Sequence, residues 1–189
     1  MRCRGKNCRN LTHGEAVMVN QLFSFAIDLS SVKIHEHKYA IFQSPNFVMT
    51  PNGEIYVPTG IFQPDFASAG IDNIQLFMHE MVHVWQHQMG MWVKTRGLFS
   101  WYVNYKYELQ IGKLLSDYGM EQQAGIISDY YLLITYGLSV WKLNSYEKNK
   151  SNPINLPPYK SEFDYWMSAY QNNLQLFLKN PRDKKALFR

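Results

Sequence analysis

Nowhere in the 189 residues does a run of eighteen apolar side chains occur, so the sequence offers no membrane-spanning helix. Cysteine is nearly missing. The only two, Cys3 and Cys8, read first as two free thiols in a frayed terminus and second as a local disulfide, with a Cys/Cys metal site last for want of partner ligands. They sit in a basic leader, residues 1–10, expected to be flexible. No apolar stretch follows Met1–Arg9, so the start lacks the form of a secretory signal. The expectation is synthesis in the cytoplasm and export, if any, by another route. Charge is sparse as well: 18% of residues are charged, the net charge is +4, and the basic residues are spread out except at the two ends, which leaves no nucleic-acid footprint. With 46% apolar residues the balance is globular, and no repeat or linker divides the chain, so residues 11–189 read as one domain.

Histidine is scarce too, and none of the six follows His87. Two of them belong to His79-Glu80-Met81-Val82-His83, the pattern His-Glu-x-x-His. On a helix, residues four apart share a face, about 40° apart and roughly 6 Å along the axis, so two imidazoles can grip one ion. Neutral imidazole suits zinc, whose catalytic sites take three protein ligands and leave a fourth position for water. Glu80, turned about 100° from its neighbour, is placed to accept a proton from water at that position as general base.

The helix is argued from context. Asp72 followed three later by Gln75 reads as a capping box. Ile74, Phe77, Met78, Met81, Val82 and Trp85 recur at spacings of three and four, and Gly90 supplies a stop, placing the helix at residues 73–89. Upstream, Thr12-His13-Gly14-Glu15 is another capping box, opening a helix to about Phe25. Three short strands are expected over 32–39, 47–50 and 55–57, with Pro51-Asn52-Gly53-Glu54 as a turn. His35 and His37 share a strand face that reads as solvated rather than metal-binding. Ile55–Val57, followed by Pro58, is the candidate edge on which a substrate backbone could add as a strand. Downstream, Met91–Tyr107 has no clear period. A helix over 120–134 is stopped by Gly137, residues 142–160 read as a polar surface loop, and a last helix opens at Ser161 and runs to about Lys179.

The third ligand must be found elsewhere. The metzincin positions hold Gln86 and Met89, which excludes that class, and His87 lies two turns, about 12 Å, from His79, too far to share an ion with ~2 Å bonds. His87 reads as a rim or solvated residue. Among downstream carboxylates, Glu108, Glu121, Asp129, Glu147 and Glu162 are candidates. Glu121 is favoured, standing in the first turn of a helix with Gly125 one turn on, on the same face, to let that helix approach the His79 helix closely. Asp129, two turns on, reads as a residue orienting a ligand histidine or as part of a polar face. Tyr130 and Tyr131 are candidate donors to an oxyanion.

Taken together, Leu11–Glu15, Met49–Tyr56, His79–Gln86, Asp117–Ala124 and Asp129–Tyr131, in order over residues 11–131, resemble the zincin-type metallopeptidases found alone or fused to the carboxyl ends of Vgr- and Rhs-related proteins of bacterial type VI secretion systems. The resemblance implies an α+β zincin-like fold, a small antiparallel or mixed sheet packed on several helices including the His79 helix. It also implies a zinc peptidase toxin with a peptide or protein substrate, a spike protein as carrier and a cognate immunity protein, acting in the periplasm of a target cell. The family pattern has a glutamate after the zinc motif as third ligand, which Glu121 matches. The rival expectations are a non-catalytic zincin scaffold serving a secretion apparatus, and a zinc amidase acting on peptidoglycan peptides.

Overall fold

The computed structural model describes residues 7–41, 43–93, 105–152 and 154–188. It divides into two compact units, Met1–Tyr102 and Val103–Arg189. Leader residues 1–6 and most of the aperiodic stretch, residues 94–104, lie outside the described residues.

In the first unit, helix α1 (His13–Phe23) opens on the expected capping box. The Glu15 amide donates to Thr12 Oγ1 (3.1 Å), and the Thr12 amide donates back to Glu15 Oε2 (2.8 Å). The box is worth about 1 kcal/mol. It also buries Glu15 completely, where Arg9 grips the carboxylate with both terminal nitrogens (2.8 and 2.7 Å) and the Phe66 amide donates to it (2.9 Å). The helix stops two residues before Phe25 because Ser24 and Phe25 take positive φ (47° and 60°).

Three two-residue strands make a sheet in the order β1-β2-β3: β1 (Cys8–Arg9) antiparallel to β2 (Ile34–His35), and β2 parallel to β3 (Ile55–Tyr56). The mixed α+β character matches expectation, but several details do not. Cys8, expected as a free thiol in a loose leader, is disulfide-bonded and lies in β1. The stretch expected as a strand over 47–50 pairs only at Met49, which exchanges both backbone hydrogen bonds with Tyr56 (3.2 and 2.9 Å). The expected free edge on Ile55–Val57 is therefore taken. Ile55 donates to Lys33, just before β2, and Val57 to His35 in it, and the outward-facing groups of Tyr56 are used by Met49, which the Pro51–Glu54 turn folds back alongside. His35 is not solvated: it is buried, its Nε2 lies 2.9 Å from Glu54 Oε2, and its ring stacks on Tyr56 at 4.4 Å. His37 is exposed.

Helix α2 (Ile71–Gln88) carries the His-Glu-x-x-His pattern. Its N-cap is Gly70 rather than Asp72; Gly70 O accepts the amides of Asn73 and Ile74 (3.0 Å each), and Asp72 stands in the first turn, where a negative charge suits the helix dipole. At the other end Gly90 at φ 98° closes a Schellman motif, its amide donating to His87 O (2.9 Å) and the Met91 amide to Gln86 O (2.8 Å). The sequence suggests an apolar stripe, yet every residue from Phe77 to Gln86 is buried. A helix end carrying two histidines and a glutamate is thus enclosed on all sides, which raises the stakes for each polar group in it. Phe77 stacks on Phe66 at 5.5 Å, and Trp85 lies 6.1 Å from Phe23 of α1.

In the second unit, helix α3 (Met120–Asn144) is broken at Gly137 (φ 81°, ψ −179°), where the sequence places its stop; the chain then resumes helix. Helices α4 (Glu162–Asn173) and α5 (Gln175–Lys179) follow, with Leu174 interrupting the single helix expected. The segment read as a surface loop is anchored: Tyr107 and Glu147 form a parallel bridge, and Glu147 is only 2% exposed. A polar cluster centres on Asp129, whose Oδ2 accepts Tyr107 Oη (2.8 Å) and the Tyr146 amide (2.7 Å), while Trp141 Nε1 donates to Tyr170 Oη (2.8 Å). Burial pushes the Tyr107 and Tyr170 hydroxyls well above the ordinary tyrosine range. No helix among the described residues is long and apolar enough to cross a membrane.

Candidate metal centre

The helical spacing of His79 and His83 brings their Nε2 atoms to 3.2 Å, with the rings nearly perpendicular (81°) and centroids 4.9 Å apart. Both side chains are buried. Two imidazole nitrogens bound to one tetrahedral zinc at ~2.0–2.1 Å would stand about 3.3 Å apart, so the pair fits such an ion with almost no movement. His83 is further oriented by Gln86, whose Oε1 lies 2.8 Å from Nδ1. An amide oxygen only accepts, so Nδ1 carries the hydrogen and Nε2 presents its lone pair towards His79.

Glu80 is also buried, and Thr50 Oγ1 donates to its Oε2 at 2.5 Å. Thr50 belongs to the segment between the Met49 bridge and the Gly53 turn. Gly53 sits at φ 79°, and a Cβ there would come within 2.6 Å of His87 Cδ2. His87 is exposed, in keeping with the rim position expected of it. Neither Thr50 nor Gln86 is singled out by its own sequence signal. Both lie inside recognisable motifs, but their partners are set by folding.

The candidate third ligands all lie in the second unit. Glu108 is exposed, and Glu162 pairs with Lys142 (2.6 Å). Glu147 accepts the Leu109 and Asn149 amides (2.9 and 3.0 Å), and burial raises its pKa above the usual carboxylate range. Asp129 is held in its tyrosine cluster. Glu121 stands in the first turn of α3, 9% exposed. Gly125, expected to admit the His79 helix, has Tyr105, Tyr107 and Tyr146 as the neighbours of its Cβ position, at 3.4–3.5 Å. Tyr130 and Tyr131 are buried on the same helix, Tyr130 beside Tyr170 and Tyr131 beside Tyr136, and burial raises the pKa of both.

No protein-family model matches the chain. Over 131 residues it is 37% identical to the type VI secretion system spike protein VgrG2b of Pseudomonas aeruginosa, a match taking in 66% of this chain. The chain spans only 13% of the length of that relative. Among solved structures, the effector domain of Pseudomonas aeruginosa VgrG2b is similar with a TM-score of 0.63 and 33% identity, covering 74% of this chain and 84% of that domain. Sequence and fold point to the same relative, and the chain belongs to the family of the VgrG2b effector domain.

Proposed function

We propose that this chain is a zinc-dependent metallopeptidase effector of a type VI secretion system, in which His79, His83 and Glu121 hold the ion and Glu80 is the general base. The observation that carries the reading is the buried pair of Nε2 atoms facing each other at 3.2 Å beside a buried glutamate. The proposed ligands are two imidazoles and one carboxylate, a donor set of catalytic zinc centres that leaves a coordination position open. A purely structural site closes that position and has no use for a buried base.

When bound, zinc polarises a peptide carbonyl and makes water a usable nucleophile near neutral pH. The chain's own residues do the rest. Glu80 takes the proton from the attacking water and later returns it to the leaving amine, the usual double duty of a general base. Its burial keeps competing solvent away from the carboxylate. Tyr130 or Tyr131 donates to the oxyanion. Their raised pKa values suit that role, because a phenol that keeps its proton remains a donor at neutral pH.

The effector role follows from the family: the matched relative is a spike protein, and the matched solved structure is its effector domain. We take the carrier to be such a spike, the site of action to be the target-cell periplasm, the substrate to be a peptide or protein, and self-protection to require a cognate immunity protein. The test is metal analysis of purified protein followed by peptide-library profiling of wild type and Glu80→Gln. One zinc per chain in both, with cleavage by the wild type alone, is expected. A Glu80→Gln variant that loses zinc along with activity would argue against the base role, and a zinc-loaded wild type inert on all peptides would sink the peptidase reading.

A further inference from the structure

We propose that Thr50 is a positioning residue for Glu80, fastening one carboxylate oxygen so that the other is aimed at the reacting water; this rests on the metallopeptidase reading above. Thr50 and Glu80 are both buried residues (5% and 6% exposed), and the hydroxyl of one meets the carboxylate of the other at 2.5 Å. That distance belongs to the short charge-assisted O–H···O⁻ class, roughly 2.5–2.7 Å. A glutamate side chain has three torsions to fix, and a base is useful only within about 2.6–3.2 Å of the proton it takes. Displacement by about 1 Å is enough to cost on the order of 10²-fold in rate.

Thr50 is itself held from both sides. The residue before it, Met49, is locked to Tyr56 by two backbone hydrogen bonds. Three residues after it, Gly53 lies against the His87 ring. His87 is seven residues beyond Glu80, almost two full turns, so both belong to nearly the same face of α2. The segment is thus pinned along that face at two points, and the hydroxyl has little freedom to leave the carboxylate. The hydroxyl of Thr50 donates to Glu80, which is not among the proposed ligands, so its effect on the reaction runs through Glu80.

Valine at this position keeps the shape and removes the hydroxyl; serine keeps the hydroxyl and removes a methyl. In zinc-loaded protein, Thr50→Val is expected to lower kcat about 10–100-fold with KM and zinc content unchanged, up to the loss that a misplacement of about 1 Å brings. Thr50→Ser should recover most of the rate. In metal-free protein, the Glu80 carboxyl ¹³C resonance should move in Thr50→Val and stay in Thr50→Ser. Thr50→Ala serves the same comparison should the valine variant not fold. Wild-type kcat in Thr50→Val, or equal impairment in Thr50→Ser with an unmoved Glu80 resonance, would overturn the proposal. An inactive wild type would instead strike the peptidase reading, with the resonance still reporting whether Thr50 holds Glu80.

Discussion

Gln86 Oε1 sits 2.8 Å from His83 Nδ1, one turn further along the same helix, and is wholly buried. Such an acceptor behind a ligand histidine fixes its tautomer and ring plane. Gln86→Leu should therefore weaken zinc about 10–100-fold in a chelator competition titration, while Gln86→Glu, which keeps an acceptor, should lose much less. Equal affinity in Gln86→Leu and wild type would show that the amide merely satisfies a buried nitrogen.

The assignment of the third ligand separates cleanly by substitution. Glu121→Gln is expected to strip zinc on dialysis, while Glu108→Gln and Glu162→Gln, an exposed carboxylate and one paired with Lys142, should retain it. Metal content by mass spectrometry decides the matter. Zinc lost from Glu108→Gln and kept by Glu121→Gln would reassign the ligand.

Gly53→Ala meets two separate obstacles, a φ of 79° and a ring atom of His87 at 2.6 Å. The left-handed backbone alone costs an L-residue about 1–2 kcal/mol. The His87→Ala background should recover the part due to the clash and leave the backbone part, so the two substitutions should couple in a double-mutant cycle of urea unfolding. Strictly additive effects would mean that the ring moves aside freely.

Glu147 makes stability depend on pH in a defined direction. Burial raises its folded pKa above the ordinary 4.5, so the folded chain holds this proton more tightly than the unfolded one. The stability this contributes is complete below 4.5 and is lost as pH rises through the raised folded value. Wild type should weaken relative to Glu147→Gln over that window, as measured by urea midpoints at a series of pH values. A difference between the two that does not vary with pH would contradict the shift.

What could be read in the sequence was mostly local. The capping box of α1, the histidine spacing of α2 and the helix break at Gly137 all depend on residues within a turn or two, and the structure contains each, although past Gly137 the chain resumes helix to Asn144 where an end is expected. The N-cap at Gly70 was masked by Asp72, a better capping residue by type that instead stands in the first turn. Two-residue strands carry too few positions for an alternating pattern to register, and Met49 closes the outer side of β3 only because the chain turns back at Gly53. Glu147 sits in a polar, proline-bearing stretch that reads as a solvent loop. Its burial depends on backbone donors at Leu109 and Asn149, one of them 38 residues away. Thr50 and Glu80 are likewise 30 residues apart, and no local spacing announces their meeting.

The stretch Met49–Tyr56 makes four attachments in eight residues: Met49 to Tyr56, Thr50 to Glu80, Gly53 to His87, and Glu54 to His35. Its spacing is therefore tied to the pitch of α2 as a ruler is to its graduations. A substitution here acts on one contact at a time, whereas a change of length acts on several: a residue gained or lost between Thr50 and Gly53 would detach one end of the strip from its mark on the helix. Recombination between relatives, natural or engineered, should move this strip and α2 together as one inherited block.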